Sequence, residues 1–262
     1  MPTVTELQDS VPVQPKRALI TGSSRGIGAD TAIGLGGSGY AVVVNYRDER
    51  KARRAEQTVA KVAAAGGSAI AVRADLTDAA SVQAMLDRVR SEWGGLDLLV
   101  LNASGGMESG MAGDYALQLN RDAQVAVLRA ALPLMQPGSR VVFVTSHQAH
   151  FIATTPTMPE YEPVARSKRA GEDALRALIP ELEAAGVGFV VVSGDMIEGT
   201  ITATLLERAN PGAISSRRES AGRLYNVAEF AAEVAAAAVE PIPANHTRFV
   251  GDTGAFAPVP GE

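Results

Sequence analysis

Apolar runs of four to six residues alternate along the chain with longer stretches in which apolar positions recur every three or four residues. This is the rhythm of strand, crossover helix, strand. Strands are predicted over 17–21, 41–45, 68–73, 96–101, 140–145, 187–193 and 248–250. Their near-continuous aliphatic character suits strands covered on both faces. Helices are predicted over 27–36, 49–65, 79–93, 114–135, 163–185 and 227–239, with Asp78 as an N-cap, Pro163 in a first turn, and Gly66 and Gly186 as C-terminal caps. The expected fold is α/β and doubly wound, a seven-stranded, mostly parallel sheet with helices on both faces.

Composition narrows the classes of function. The chain has 262 residues, 46% hydrophobic and 20% charged, with no cysteine. One domain spanning 1–262 is expected, and disulfides and thiolate metal sites are excluded. With 24 Lys and Arg against 29 Asp and Glu, the net charge of −5 offers no basic footprint for nucleic acid. Apolar runs are strand-sized and the N-terminus is polar, so no membrane segment or leader is expected and the predicted location is cytoplasmic. The ends, 1–15 and 256–262, are rich in proline and polar residues and are expected to be flexible tails, ordered poorly or only by a partner chain.

Candidate chemistry begins directly after the first strand, where Thr21-Gly22-Ser23-Ser24-Arg25-Gly26-Ile27-Gly28 opens into a helix. Gly22 would permit a tight turn, Gly26 a close approach to a pyrophosphate, and Gly28 close contact of helix and sheet. The unpaired amides at the helix start would face the anion.

The loop resembles the T-G-x-x-x-G-x-G phosphate loop of the short-chain dehydrogenase/reductase family, a Rossmann fold, and further motifs extend the resemblance over nearly the whole chain. Asp75-Leu76 looks like the family's adenine-contacting pair. Asn102-Ala103-Ser104-Gly105 looks like its N-N-A-G element, with Leu101 for the first asparagine and a serine inserted before the glycine. Asn120 stands where the family has an active-site asparagine, Ser146 where it has a substrate-orienting serine. Gly194, Ile197 and Thr200 lie in a segment similar to its P-G-x-I-x-T element, with Ser193 for the proline. The resemblance implies a homo-oligomer, dimer or tetramer, assembled through the helices around Asn120 and Lys168.

Cofactor choice can be argued from charge. An acidic residue closing the second strand would grip the ribose hydroxyls of NAD. Here the strand closes on Asn45-Tyr46-Arg47, with no carboxylate before Asp48, and Arg25 sits inside the glycine loop. Two guanidinium groups favour a 2′-phosphate, so NADP(H) is expected.

At the reacting centre the pattern departs from the family. The chemistry calls for a hydroxyl beside a carbonyl and a cation that lowers its pKa, one helical turn apart. Lys168, in Ala165-Arg166-Ser167-Lys168, supplies the cation, but four residues earlier stands Val164. The nearest phenol is Tyr161, seven residues back, an axial distance of about 10.5 Å instead of about 6 Å unless the entry to the helix is rebuilt at Pro163. Three readings stay open: Tyr161 is the proton donor, His147 or His150 does that work, or the site binds nucleotide without proton transfer.

The segment 201–224 is a candidate mobile lid, with Arg217-Arg218 read as exposed surface, while Asp195 and Glu198 place negative charge near the site. The leading expectation is an NADP(H)-dependent oxidoreductase for a small carbonyl or alcohol, in which Ser146, Tyr161, Lys168 and, through a water relay, Asn120 carry the proton chemistry. The alternative is a nucleotide-binding protein without net redox turnover: a sensor, an inactive subunit, or an elimination or isomerisation catalyst.

Overall fold

A computed structural model describes residues 14–107 and 113–256. The chain runs β1 (Arg17–Ile20), α1 (Gly26–Gly37), β2 (Ala41–Tyr46), α2 (Ala52–Ala64), β3 (Ser68–Arg73), α3 (Ala79–Trp93), β4 (Leu96–Leu101), α4 (Tyr115–Leu117), α5 (Ala123–Ala131) and β5 (Met135–Ser146). It continues through α6 (His147–His150), α7 (Glu162–Arg176), α8 (Ile179–Ala184), β6 (Gly188–Gly194), α9 (Ile201–Ala209), α10 (Ala213–Ala221), α11 (Val227–Ala237) and β7 (Thr247–Val250). The seven strands form one sheet in the order β3-β2-β1-β4-β5-β6-β7. Every pairing is parallel, in keeping with the mostly parallel, seven-stranded sheet expected.

Strand periodicity divides the core in two. On β1, Leu19 points to one face while Ala18 and Ile20 point to the other; β4, β5 and β6 divide their aliphatic residues in the same way. One face is covered by residues of α3, α5 and α8, the other by residues of α1, α2 and α11. The strand order turns back between β1 and β4, and a parallel sheet opens a crevice at such a point, beyond the carboxyl ends of its strands.

Several boundaries differ from the sequence pattern for reasons of backbone chemistry. The helix predicted over 163–185 breaks between Arg176 and Ile179, because Pro180 has no amide to donate and its ring would crowd the carbonyl of Arg176. The helix predicted over 114–135 includes a π-helical turn, Gln118–Asp122, and ends in a 3₁₀ turn at Leu132–Leu134 that contains Pro133. The lid candidate 201–224 is built as α9 and α10. No residue of α10 is buried, so it carried no apolar stripe to read; Glu207 instead caps its start, accepting from the amides of Gly212 and Ile214 at 2.8 Å each.

The expectation of a flexible tail from 256 onward fails at its first residue. Phe256 is 4% exposed and packs on His147, Phe151 and Arg217. Residues 1–13 and 257–262 lie outside the described residues. Among the described residues no helix is long and apolar enough to cross a membrane, and no group of three or more metal-ligating side chains is present.

His147 lies wholly inside this aromatic cluster, with Nδ1 2.8 Å from Ser193 Oγ. Burial pulls its pKa from an ordinary 6.5 down to about 4. Between those values the unfolded chain holds a proton that the folded chain does not, so His147 lowers stability progressively as pH falls from 6.5 to 4 and has no such effect above that window. Urea titrations should show the stability difference between wild type and His147→Gln changing by roughly 3 kcal/mol across this window, against the wild type at the acid end.

Candidate active site

The crevice at the strand reversal is a cleft of about 430 Å³. It is assembled from the ends of β1, β2, β4, β5 and β6, and the loop after β1 is tied down from both sides. The amide of Gly22 donates to Asn45 Oδ1 (3.0 Å), whose Nδ2 holds the Ala74 carbonyl (3.2 Å). From the other side Asn102 Nδ2 donates to the Thr21 carbonyl (2.9 Å), and the amides of Asn102 and Ala103 donate to Thr21 Oγ1 (2.9 and 3.1 Å). Asn45 and Asn102 thus shape the loop with their side chains.

A dinucleotide fits this loop on steric and electrostatic grounds. Gly22 and Gly26 have φ of +64° and +58°, in the left-handed region open to glycine. A Cβ on Gly28 would stand 2.5 Å from Asn102 Nδ2 and 2.8 Å from the Gly22 carbonyl oxygen, so α1 can start this close to the sheet only with glycine there. Arg25, the residue before α1, makes no side-chain cap, and the first amides of a twelve-residue helix therefore open into the cleft. Ser24, Arg25 and Ile27 line the same wall.

Tyr46, Arg47 and Lys51, from the end of β2 and the turn after it, line the cleft together with Asp75 and Leu76, which follow β3. Asp48, the first carboxylate after β2, is surrounded by Arg47 (3.5 Å), Arg50 (3.2 Å) and Lys51 (3.9 Å). Its burial acts to raise its pKa, but these cations outweigh that and hold it below the usual carboxylate range. Arg47 also donates to the Tyr115 hydroxyl. The Asp75 carboxylate accepts from the amide and hydroxyl of Thr77 (3.0 and 2.7 Å) and so shapes the turn before α3.

In the middle of the cleft, Ser146 Oγ lies 3.0 Å from the Tyr161 hydroxyl and also accepts from the Ala149 amide (3.2 Å). Tyr161 is the residue before α7. A turn from Met158 to Tyr161 precedes it, and its carbonyl accepts the helical bond from Ala165 (2.9 Å). Val164, where a phenol was to be expected, is buried in a cluster with Met196, Ala203 and Leu206. Burial pushes the Tyr161 phenol above its ordinary value, and the Ser146 hydrogen bond only partly offsets this. Lys168 lines the cleft two turns along α7. Burial pulls its ammonium down to about 8, against the pull of the Glu172 carboxylate one turn further on.

Of the residues singled out from sequence, Gly22, Ser24, Arg25, Gly26, Ile27, Gly28, Asn45, Tyr46, Arg47, Asp75, Leu76, Asn102, Ala103 and Ser104 all line this cleft, as do Ser146, Tyr161, Lys168, Ile197 and Thr200. Two do not. Gly194 lies under the Phe230 ring, which would collide with any Cβ there, so its place in β6 is one of packing. Asn120 is buried with its carboxamide committed: Nδ2 donates to the Gly105 carbonyl and to Ser167 Oγ, both at 2.9 Å, and Oδ1 accepts from the Gly105 amide at 3.2 Å.

Neither His147 nor His150 is among the residues lining the cleft. His147 is in the aromatic cluster, and His150 pairs with the buried Glu172 (2.8 Å). Arg217 is not surface: its guanidinium grips both oxygens of Asp195 (2.8 and 2.9 Å from Nε) while Arg218, exposed, pairs with Glu198 (2.6 Å). Sequence reasoning missed Gln148 and Phe230, which line the cleft. No motif flagged Gln148, although its position two residues beyond Ser146 is a signal.

A family model described as short chain dehydrogenase matches residues 16–210. Among curated proteins, a short chain dehydrogenase/reductase (AacuN) of Aspergillus aculeatus is 32% identical over 192 residues, which is 71% of this chain and 69% of that protein. A hydroxynaphthalene reductase of Aspergillus fumigatus is 34% identical over 64% of this chain and 61% of its own length. Among solved structures, a short chain dehydrogenase of Burkholderia cenocepacia in complex with NADP superposes with a TM-score of 0.76 at 30% identity, covering 93% of this chain and 99% of that one. The angucycline C-6 ketoreductase LanV with bound NADP gives 0.70 at 26% identity, covering 86% and 89%.

The Lys168 ammonium should titrate near pH 8 in the absence of any nucleotide, followed by the ¹³C shift of its Cε. Glu172→Gln removes the negative charge that holds the proton there, so the midpoint should fall further; a midpoint near the ordinary 10.5 in either protein would contradict the burial of this group.

Proposed function

The chain belongs to the short-chain dehydrogenase family and is an oxidoreductase, and from that premise we propose that it is NADP(H)-dependent and reduces a small, neutral ketone, or oxidises the corresponding alcohol. The observation that carries this reading is the 3.0 Å contact between Ser146 and Tyr161 in the same cleft as Lys168. When bound, the nicotinamide supplies hydride transfer to or from the substrate carbon. Ser146 then hydrogen-bonds the carbonyl oxygen, and Tyr161, within reach of the same oxygen, gives or takes its proton. Lys168 holds the nicotinamide ribose, and its positive charge favours release of the phenol's proton. Asn120 stands outside the proton path and acts by clasping the backbone at Gly105.

The NADP(H) preference rests on Arg25, Arg47 and Lys51 lining one end of the cleft and on the three cations around Asp48. Neutrality of the substrate is inferred from the other end. There Asp195 and Glu198 are matched by Arg217 and Arg218, while Met196, Ile201 and Leu206 offer apolar walls. The hydroxynaphthalene and angucycline reductases among its relatives support flat, largely apolar ketones as the class to try first. A homo-oligomer of this chain and a cytoplasmic location belong to the same reading; light scattering tests the former.

Purified protein should oxidise NADPH in the presence of such ketones, read as loss of nicotinamide absorbance. Tyr161→Phe should lower kcat/KM by about 10²–10⁴-fold with NADPH binding retained. If wild type binds NADPH but turns over no ketone, and Tyr161→Phe is indistinguishable from it, the redox assignment gives way to nucleotide binding alone. Arg47→Glu should weaken NADPH binding by about tenfold or more while changing NADH affinity far less; equal effects on both would remove Arg47 from 2′-phosphate recognition.

A further inference from the structure

Two residues past Ser146, the Gln148 side chain lines the cleft with only 9% of the residue exposed. Its Nε2 donates to Asp195 Oδ1 at 3.1 Å. A carboxylate offers acceptors alone, so this contact decides which end of the amide faces it: the NH₂ group turns to Asp195 and Oε1 turns away. Asp195 is in turn held in place. The Met196 amide donates to it (2.7 Å), Arg217 Nε donates to both of its oxygens, and the Arg217 guanidinium rests 4.4 Å from the centre of the Phe256 ring. Among the described residues no hydrogen bond reaches Gln148 Oε1, which is not sealed inside the protein. The cleft that Ser146 and Tyr161 line is thus also lined by a carboxamide whose orientation Asp195 fixes, with its oxygen as an open acceptor.

We propose that Gln148 is a specificity-determining residue whose Oε1 accepts a hydrogen bond from a hydroxyl group that the ketone carries apart from its reacting carbonyl, with Asp195 and Arg217 as positioning residues. This deepens the ketone-reductase reading and rests on it. The substrate class is a hydroxylated, uncharged ketone. A carboxylate at the same place would meet an acceptor backed by Asp195, with Arg217 already engaged. The reacting bonds are those of the hydride and proton transfer above, and Gln148 takes no part in them. An acceptor that the bound ketone covers without giving it a donor loses its water at a cost, which is why a site of this kind discriminates against the analogue lacking the hydroxyl.

The test compares 1-tetralone with its hydroxylated isomers, as substrates with NADPH and as ligands of the NADP⁺-loaded protein by calorimetry. For the wild type at least one hydroxylated isomer should be favoured over 1-tetralone by about tenfold or more in kcat/KM or in affinity. In Gln148→Met the ratio should collapse to within about twofold, with NADPH binding measured alongside to establish that the variant is folded. In Asp195→Asn the partner can donate as well as accept, the amide is free to turn, and the preference should move from hydroxylated to methoxylated isomers. A purely structural role for the pair would lower kcat/KM for all isomers together and leave the preference where it was. No hydroxyl preference in the wild type, or one that survives intact in Gln148→Met, overturns the proposal. NADPH binding without turnover of any tetralone would instead count against the reductase reading, and the calorimetric ratio would still decide the role of Gln148.

Discussion

Everything in the cleft depends on a loop that cannot relax. The segment after β1 is pinned on one side by Asn45 and on the other by Asn102, and Thr21 Oγ1 receives two amides from the end of β4. These bonds tie the ends of β1, β2 and β4 together at the place where the sheet reverses its winding. With the loop held, α1 starts close against Asn102, its first amides face the cleft, and only glycine at 28 leaves the room required.

Valine stands at position 164, where the sequence pattern led us to expect a tyrosine, and the cleft has a phenol from Tyr161. Val164 is buried in the cluster that holds Met196, Ala203 and Leu206, and a short turn from Met158 precedes Tyr161 at the helix entrance, 3.0 Å from Ser146. Tyr161 stands at the entrance of α7 and Lys168 about two turns along it, and both line the cleft. Tyr161 is buried and Lys168 half-buried, and the loss of water moves them in opposite senses: the phenol holds its proton more tightly and the ammonium less. A bound group of opposite or additional charge would therefore act on a pair that water screens poorly.

The substrate side follows a different principle. Its carboxylates are each matched, Asp195 by Arg217 and Glu198 by Arg218, so a region rich in charged residues presents little net field. The same ion pairs hold α10, which has no buried residue of its own, against the body of the protein. Phe256 adds a second hold on Arg217 and is covered in the process.

Strands, most helices and the glycine loop were legible in the sequence because they depend on local periodicity and on backbone freedoms that only glycine and proline alter. The cofactor half of the cleft was legible for the same reason: it is built from loops that directly follow strands, so their order in the chain predicts their order in space. The fate of Tyr161, the withdrawal of His147 into an aromatic cluster, the ion pair of Arg217 and the carboxamide of Gln148 were not. Each depends on a partner distant in sequence, such as Ser146 fifteen residues away, Ser193 forty-six, or Asp195 twenty-two and forty-seven. No local pattern records such a pairing, and it exists only once packing has fixed which groups lose water together.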